Sequence, residues 1–245
     1  MAPPTPAAAS ERPGRGRPPR ISRAMIAEAA HELGLDGLTL RAVAAHLDVS
    51  ISALYHHVSS KDDLMRLAAE YTAARVPLPQ DRGQHWALWL SEWADYNRDA
   101  FLAHPGLLSQ YLEGAISAES IAGNVDTILG VLVRQGFTVL EANAAYELIT
   151  SCALGTAIGV IREREAAKAD RPIREAVRQL LDRSGPGELP HLRELHRAIA
   201  HQGREPYQVR VATVIYGIAI RQGLDWRPIR ALLEGDDAPA PAAGG

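Results

Sequence analysis

The stretch LGLDGLTLRAVAAHLDVSISALYHHVSSKDDL, residues 33–64, contains two short helical patterns separated by a single turn residue. Thr39 precedes the first apolar face and Ser50 the second, and both residue types favour the N-cap of a helix. Asp48, which tolerates left-handed turn geometry, is the only turn-type residue between them. Two short helices joined this tightly, behind a longer bracing helix, are typical of a helix-turn-helix.

The flanking sequence extends this unit on both sides. Upstream, Ser22 precedes apolar residues at helical spacing, and Gly34 is placed to end that helix. Downstream, Ser60 begins a capping-box-like pattern, and we predict a fourth helix that runs to about Arg75 before the prolines of residues 77–79. The sequence therefore predicts a compact helical unit over residues 21–66.

The rest of the chain has helical periodicity, with Gly or Pro at most junctions, and we find no alternating strand pattern and no internal repeat. The fold class is therefore predicted as all-α. The segments 1–20 and 235–245 are rich in Pro, Ala and Gly and are predicted to be disordered, the first as a basic arm. Further helices are predicted over residues 84–103, 105–113, 117–135, 138–165, 172–183, 190–201, 206–222 and 227–234.

Composition narrows the function classes. With 47% hydrophobic residues in 245, the chain can bury a substantial core, and the single cysteine, Cys152, excludes an internal disulfide framework. The longest apolar window, residues 144–161, is interrupted by Glu147, so we interpret it as a helix buried in protein rather than a membrane span. No secretory signal is visible at the N-terminus. We expect a soluble cytoplasmic protein without a membrane partner.

The quoted stretch resembles the DNA-binding signature of the tetracycline-repressor (TetR) family of bacterial regulators. The resemblance rests on the Leu-Thr-x-Arg of residues 38–41, the LYHHV of residues 54–58 and Lys61, and LYHHV favours the tetracycline-repressor-like subgroup. It implies an N-terminal three-helix helix-turn-helix DNA-binding domain over residues 21–66. It further implies a larger helical ligand-binding and dimerisation domain over residues 67–234.

The resemblance also implies which residues meet DNA. Imidazole and guanidinium groups suit base edges in the major groove, whereas hydroxyl and ammonium groups suit phosphates. Two positions depart from the family pattern: Asp48 stands where the family usually has Gly, and Ile51 stands where the tetracycline repressor has a polar base reader. The predicted DNA-binding residues are Thr39, Arg41, Ser50, Ser52, Ala53, Tyr55, His56, His57 and Lys61.

The arm contains GRGRPPR, residues 14–20, and residues 1–23 carry five arginines against one glutamate. Arg-Gly-Arg-Pro resembles an AT-hook core, which would place Arg15 and Arg17 in an A·T-rich minor groove. We favour the alternative of a disordered basic leader, which would still strengthen DNA binding by neutralising phosphates.

The histidine pair admits a second interpretation, as a metal site. Helical metal ligands usually recur at i and i+4, whereas His56 and His57 are adjacent and diverge, so we predict no metal and no cofactor. The sequence also lacks the G-x-S-x-G, H-E-x-x-H, phosphate-loop and C-x-x-C motifs, so we predict that the protein is not an enzyme.

An aromatic stripe follows the fourth helix. Trp86, Trp89, Trp93 and Tyr96 recur at helical spacing, and core packing is the default interpretation of such a stripe. The functional interpretation is one wall of a mostly apolar ligand pocket with a few polar groups. The predicted ligand-binding residues are Trp89, Trp93, Tyr96, Asn97, His104 and Tyr111.

Two further helices, over residues 138–165 and 206–222, are apolar on most faces and contain small residues that permit close approach. One interpretation is an ordinary monomer core. The other, which the family resemblance favours, is a four-helix homodimer interface formed with the same helices of a second copy. The predicted interface residues are Gly155, Gly159, Val214, Gly217 and Ile218.

Together these patterns predict a homodimeric, ligand-responsive transcriptional repressor. It would bind double-stranded DNA at a palindromic operator and be released by a mostly apolar small molecule. Two alternatives remain at this stage: a ligand-independent architectural DNA-binding protein, and a helical enzyme with a vestigial DNA module.

Overall fold

A computed structural model of the protein describes residues 21–203 and 206–235. Within these ranges the chain forms twelve α-helices and no strand, as the sequence predicts. The predictions for the arm, with Arg15 and Arg17, and for the tail beyond Gly235 lie outside the described residues. The helices are α1 (Arg23–Leu33), α2 (Leu40–His46), α3 (Ile51–Tyr55), α4 (Lys61–Ala73), α5 (Trp86–Ala103), α6 (Pro105–Leu112), α7 (Ala118–Arg134), α8 (Val139–Lys168), α9 (Ile173–Arg183), α10 (Pro190–Gln202), α11 (Tyr207–Arg221) and α12 (Trp226–Glu234).

Local side-chain caps start the first four helices. In each, a hydroxyl oxygen accepts a hydrogen bond from the backbone N–H three residues later, at 3.0 to 3.2 Å. Each bond satisfies one of the N–H groups that a helix start leaves without a partner. The four capping residues are Ser22, Thr39, Ser50 and Ser60. They confirm the predicted helix starts.

The longest helix, α8, also begins at a local signal. The Thr138 hydroxyl accepts from the Glu141 N–H while the Glu141 carboxylate accepts from the Thr138 N–H, which forms a complete capping box. The helix then runs to Lys168, three residues beyond the predicted end. Helix α4, by contrast, ends at Ala73, two residues before the predicted end.

Two apolar clusters hold the described chain together. The first is built by α1 to α4, and it also takes in Phe101 at the end of α5, Leu107 on α6 and Ala157 on α8. The domain boundary predicted between residues 66 and 67 therefore falls inside α4, whose Leu64 and Ala68 pack in one cluster. The helix-turn-helix and the following bundle share buried surface instead of meeting at an exposed linker.

The second cluster forms the core of the bundle. It is built by α5, α7, α8, α11 and α12, and α5 packs most extensively against α8. Helices α9 and α10 lie beside this bundle and are joined by Arg193, whose guanidinium donates to the carbonyl oxygens of Leu181 and Ser184 at 2.7 and 2.8 Å.

Candidate nucleic-acid interface and bundle cavity

The turn between α2 and α3 is tight because of Asp48. Its φ is 52°, in the left-handed region, and the Val49 N–H then donates to the Ala44 carbonyl at 3.0 Å. Asp and Asn are among the few residues other than glycine that adopt this conformation. The structure thus confirms Asp48 as the turn residue and places its carboxylate on the exposed side.

Helix α3 is shorter than its apolar pattern suggests. It ends at Tyr55, because the N–H groups of His57 and Val58 both donate to the Leu54 carbonyl, at 2.8 and 2.9 Å. Val58 is fully buried, and the chain must then turn to reach the Ser60 cap of α4. The two histidines therefore lie on the turn that leaves α3 and not on its helical face.

The predicted DNA-binding residues cover one continuous part of this unit. All but two of them are exposed; Ala53 and His57 are half-buried. The Thr39 and Ser50 hydroxyl oxygens accept the cap bonds of α2 and α3, which leaves each O–H able to donate to a phosphate oxygen. Lys61 begins α4, where the positive end of the helix dipole adds to its ammonium charge.

A small cavity lies inside the bundle. It encloses about 100 Å³ and is lined by α5, α6, α7 and α8, together with Ala73 and Val76 from the end of α4 and the segment after it. None of the described residues that line it is charged. Its aromatic side is formed by Trp93, which stacks on Tyr96 with ring centroids 5.0 Å apart, and by Tyr146 at 6.0 Å from Trp93.

The polar groups of this cavity are held in place by neighbours. The Trp93 indole N–H donates to the Thr150 hydroxyl at 3.0 Å, and the Asn97 amide donates to the Trp93 carbonyl at 2.8 Å. Burial raises the pKa of Tyr96 and of Tyr146 above its usual value, so both phenols remain protonated at neutral pH. The cavity therefore offers flat apolar surface with fixed, neutral hydrogen-bonding groups.

A second, outer space of about 470 Å³ adjoins this cavity and lies along the last turns of α4. The two spaces share Ala73 and Val76 on one side and Ile121 and Asn124 of α7 on the other. Glu70 lines only the outer space. The helix that begins at Lys61 thus ends at Ala73, which lines both spaces.

The bundle also presents an apolar outer face on α8 and α11. Leu140 is 83% exposed, and only 22% of the most apolar 18-residue window of α8 is buried within the chain. Gly155, Gly159 and Gly217 are exposed, and a Cβ at any of them would meet no atom within 4 Å. Length and composition alone would allow α8 to cross a membrane. The same properties fit a helix that packs against another protein surface.

Comparison with known proteins identifies the family. The model of the family described as "Bacterial regulatory proteins, tetR family" matches residues 24–68, which hold nearly all of α1, then α2, α3 and the first half of α4. The tetracycline repressor protein class D of Escherichia coli is 31% identical over 160 residues, which are 62% of this chain and 72% of that repressor. The chain belongs to the TetR family. It is a DNA-binding transcriptional regulator.

Other relatives extend this comparison. The HTH-type transcriptional repressor DrrR1 of Streptomyces coeruleorubidus is 28% identical over 162 residues, covering 64% of this chain but only 60% of DrrR1. The crystal structure of the TetR family protein ActR from Streptomyces coelicolor, in complex with actinorhodin, has a TM-score of 0.64 at 20% identity. It covers 82% of this chain and 96% of ActR, which shows that the two share a fold.

In this TetR-family regulator, the predicted ligand-binding residues divide into two groups. Trp93, Tyr96, Asn97 and Tyr111 line the inner cavity. The other two lie elsewhere: Trp89 is buried in the bundle core at 1% exposure, and the ring of His104 lies 6.1 Å from that of His31. Sequence reasoning missed Tyr146 and Thr150, although their i, i+4 spacing on α8 puts them on one face.

The predicted dimer residues divide in the same way. The three glycines lie on the exposed face of α8 and α11, whereas Val214 is half-buried. Ile218 is 3% exposed and packs in the bundle core of its own chain, so it is not available at the surface. The exposed residues of α11 are instead Gln208, Val209, Arg210, Thr213, Gly217, Ile220 and Arg221.

Proposed function

We propose that this protein is a homodimeric transcriptional repressor that binds a palindromic operator and is released by a flat, mostly apolar small molecule. The observation that carries the proposal is the course of α4. Its first residue, Lys61, belongs to the exposed DNA-facing unit, and its last, Ala73, lines the inner cavity. A helix of this length spans roughly 20 Å, so one rigid element joins the two sites.

The operator half of the proposal follows from symmetry. Two copies related by a two-fold axis would present their α3 segments to successive major grooves, roughly 34–36 Å apart, on a pseudo-palindromic site. The face formed by α8 and α11 supports this dimer, because its glycines would let the helices of two copies approach closely. Such a regulator would act in the cytoplasm, where bacterial DNA lies.

The effector half follows from the cavity lining. Stacked indole and phenol rings favour a flat unsaturated ligand, and the uncharged lining of the inner cavity disfavours a charge on the part of the ligand that lies there. The inner cavity is smaller than the roughly 300 Å³ at which ligand pockets usually begin. An effector of ordinary size would therefore extend into the outer space and contact α4. That ActR was crystallised with actinorhodin supports a small-molecule effector for this fold.

A groove between α9 and α10 encloses about 240 Å³, more than the inner cavity, but it is a weaker candidate for the effector site. The described residues that line it all belong to those two helices, and they include Val177, Leu192 and Leu195. A ligand there would touch no part of α1 to α6 and would have no direct means of favouring one DNA-binding conformation. An effector can release the protein from DNA only if it binds the conformation that does not fit the operator more tightly than the conformation that does.

The test is a footprint of the protein on the DNA upstream of its own gene, with and without an organic extract of the host culture. We expect a protected palindrome that the extract releases. Protection of A·T-rich DNA without symmetry, unaffected by the extract, would instead support the architectural alternative and overturn the proposal.

Two adjacent residues provide a matched pair for the effector site. Tyr111 lines the inner cavity, whereas its neighbour Leu112 is more exposed and does not line it. Tyr111→Ala should raise the extract concentration needed for half-release by roughly tenfold, the scale of one lost aromatic contact, and Leu112→Ala should leave it unchanged. Equal responses from both variants would argue against this cavity.

A further inference from the structure

A buried carboxylate lies beneath the turn that carries the two histidines. Asp63, on the first turn of α4, is only 7% exposed. Its Oδ2 accepts from the Ser59 N–H at 2.8 Å and from the Ser59 hydroxyl at 3.2 Å. Its Oδ1 accepts from the guanidinium groups of Arg23 and Arg66, each at 3.1 Å. The cap of α4 does not require these bonds, since Ser60 already caps the helix.

The guanidinium of Arg23 joins this carboxylate to the turn itself. Its Nη2 and Nη1 donate to the two Asp63 carboxylate oxygens, at 3.1 and 3.3 Å, and Nη1 also donates to the carbonyl oxygen of His57. Arg23 is the first residue of α1. One side chain thus ties the start of α1, the turn after α3 and the start of α4, across 40 residues of sequence.

This tie matters because α3 has little rigidity of its own. A helix of five residues is far below the length at which helices are stable in isolation. Its apolar anchors, Leu54 and Val58, hold it against the core, but apolar contacts are non-directional. The bonds from Arg23 and Ser59 are directional, and they act on the backbone at His57 and two residues later.

We propose that Arg23 and Asp63 are positioning residues for operator recognition. Their pairing fixes the direction of the His56–His57 turn, and so sets the sequence preference of the protein more than its overall affinity for DNA. The inference rests on the operator binding proposed above. It also competes with a simpler role, since the Arg23 side chain is 50% exposed and carries a charge that a phosphate would attract.

A lysine at position 23 separates the two roles. Lys keeps the positive charge but has no planar fork, so it cannot hold the carboxylate and the His57 carbonyl in one fixed geometry. Arg23→Lys should therefore preserve a phosphate contact and abolish the positioning. Asp63→Asn removes the other side of the pair and frees the guanidinium, which should also abolish positioning while leaving every cation in place.

The experiment first selects duplexes from a random pool with the wild-type protein, then measures the dissociation constants of each variant for the selected duplex and for random-sequence duplex. Arg23→Lys and Asp63→Asn should each lower the ratio of selected to random affinity by roughly tenfold, the scale of one lost base contact. Random affinity should change little in Arg23→Lys, and in Asp63→Asn it should rise only by the small amount that the loss of one negative charge allows. Combining them should cost no more than either alone, because both break one tie.

Arg66→Ala is the matched control. Arg66 bonds the same carboxylate oxygen at the same distance but lies on α4 and gives no bond to the turn, so its removal should leave the affinity ratio unchanged. Thermal unfolding of each variant checks that it is folded under the binding conditions. If Asp63→Asn is unfolded under the binding conditions, the test rests on Arg23→Lys, which should stay folded because the Arg23 side chain lies at the surface.

If Arg23→Lys keeps the wild-type ratio of selected to random affinity, the positioning inference is wrong. The operator proposal is unaffected by that result. If the wild-type protein enriches no sequence at all, the operator proposal fails and the inference fails with it. A ratio lowered equally by Arg66→Ala would also count against positioning through the turn.

Discussion

At the scale of single residues, Asp48 is unfavourable for both the stability and the charge of the helix-turn-helix. A non-glycine residue in the left-handed region is disfavoured by roughly 1–2 kcal/mol, and the exposed carboxylate adds a negative charge to the side that faces DNA. Both features are absent from a glycine at this position, which is the usual residue in the family. We therefore expect Asp48 to lower stability through its backbone and DNA affinity through its charge.

We expect Asp48→Gly to raise the stability by up to about 1 kcal/mol, since the greater freedom of glycine in the unfolded chain offsets part of the gain. Asp48→Asn keeps a residue that tolerates the turn but removes the charge. Both variants should bind random-sequence duplex more tightly than wild type at low salt, and only the glycine should be clearly more stable. Fluorescence anisotropy and thermal unfolding measure the two effects. Tighter binding by the glycine variant alone would show that the backbone, and not the charge, limits affinity.

The Asp63 network also predicts a dependence of stability on pH. The guanidinium of Arg23 and the Ser59 N–H hold the pKa of the Asp63 carboxyl well below its ordinary value of 3.8. Because the folded pKa is the lower one, the ionised carboxylate stabilises the fold above about pH 4, and this contribution is lost as the pH falls further. Asp63→Asn should therefore be less stable at pH 7 and should lose less stability on acidification.

Urea midpoints measured between neutral pH and roughly pH 3 test this dependence. The control is Asp62→Asn, which alters the exposed neighbour of Asp63 on the same turn of α4. The urea midpoint of the control should change with pH as the wild-type midpoint does. Parallel curves for wild type and Asp63→Asn would rule out the network as the source of the acid sensitivity.

At the scale of elements, α6 is one of the helices that pack the bundle against the helix-turn-helix unit. Its Leu107 and Leu108 pack in the N-terminal cluster, and its Gly106 lies against Leu35 in the loop between α1 and α2. A Cβ on Gly106 would be 2.5 Å from the Leu35 Cβ and 3.0 Å from the Leu35 carbonyl carbon. The approach of α6 to the helix-turn-helix therefore depends on the absence of a side chain at this position.

Gly106→Ala should consequently push α6 away from the loop and destabilise the protein by about 1–3 kcal/mol, the usual cost of overpacking. Gly123→Ala on α7 is the matched control, because a Cβ there meets no atom within 4 Å. It should stabilise the protein by about 0.5–1 kcal/mol, the gain of alanine over glycine inside a helix. Chemical unfolding distinguishes the two, and equal stabilities would mean that the loop moves aside without cost.

At the scale of the whole molecule, the open question is what covers α8 and α11. Part of their outward surface is apolar or small, as at Leu148, Gly155 and Ile220, and a Cβ on the glycines there would meet no atom of the described residues within 4 Å. A second copy of the chain would bury this face and would hold two DNA-binding units on one operator. Monomers should then lose operator affinity even though each keeps an intact helix-turn-helix.

Gly159→Leu tests this arrangement. The new side chain would project from α8 into open space in the single chain, so the monomer should fold, but it would block close approach of a second copy. We expect sedimentation velocity to show a monomer, and operator affinity to fall by roughly a hundredfold or more. Gly123→Leu adds the same side chain on α7 and should remain dimeric. A dimeric Gly159→Leu protein would place the interface elsewhere.

The sequence by itself determined the helices and the helix-turn-helix. Caps such as Thr39 and Ser50, and the left-handed turn at Asp48, act between residues three or four apart, so they can be read without knowing the fold. That is why most predicted helix ends lie within a few residues of those in the structure.

Only the tertiary structure decided which side of each helix is buried in the core, lines the cavity or stays exposed. Trp89 and Trp93 share one stripe of α5, yet the first is core and the second lines the cavity, because α5 is enclosed on several sides. The tie between Arg23 and Asp63 is equally invisible in a local pattern. Helical periodicity fixes which residues share a face, whereas the direction that face takes depends on packing against residues far away in the sequence.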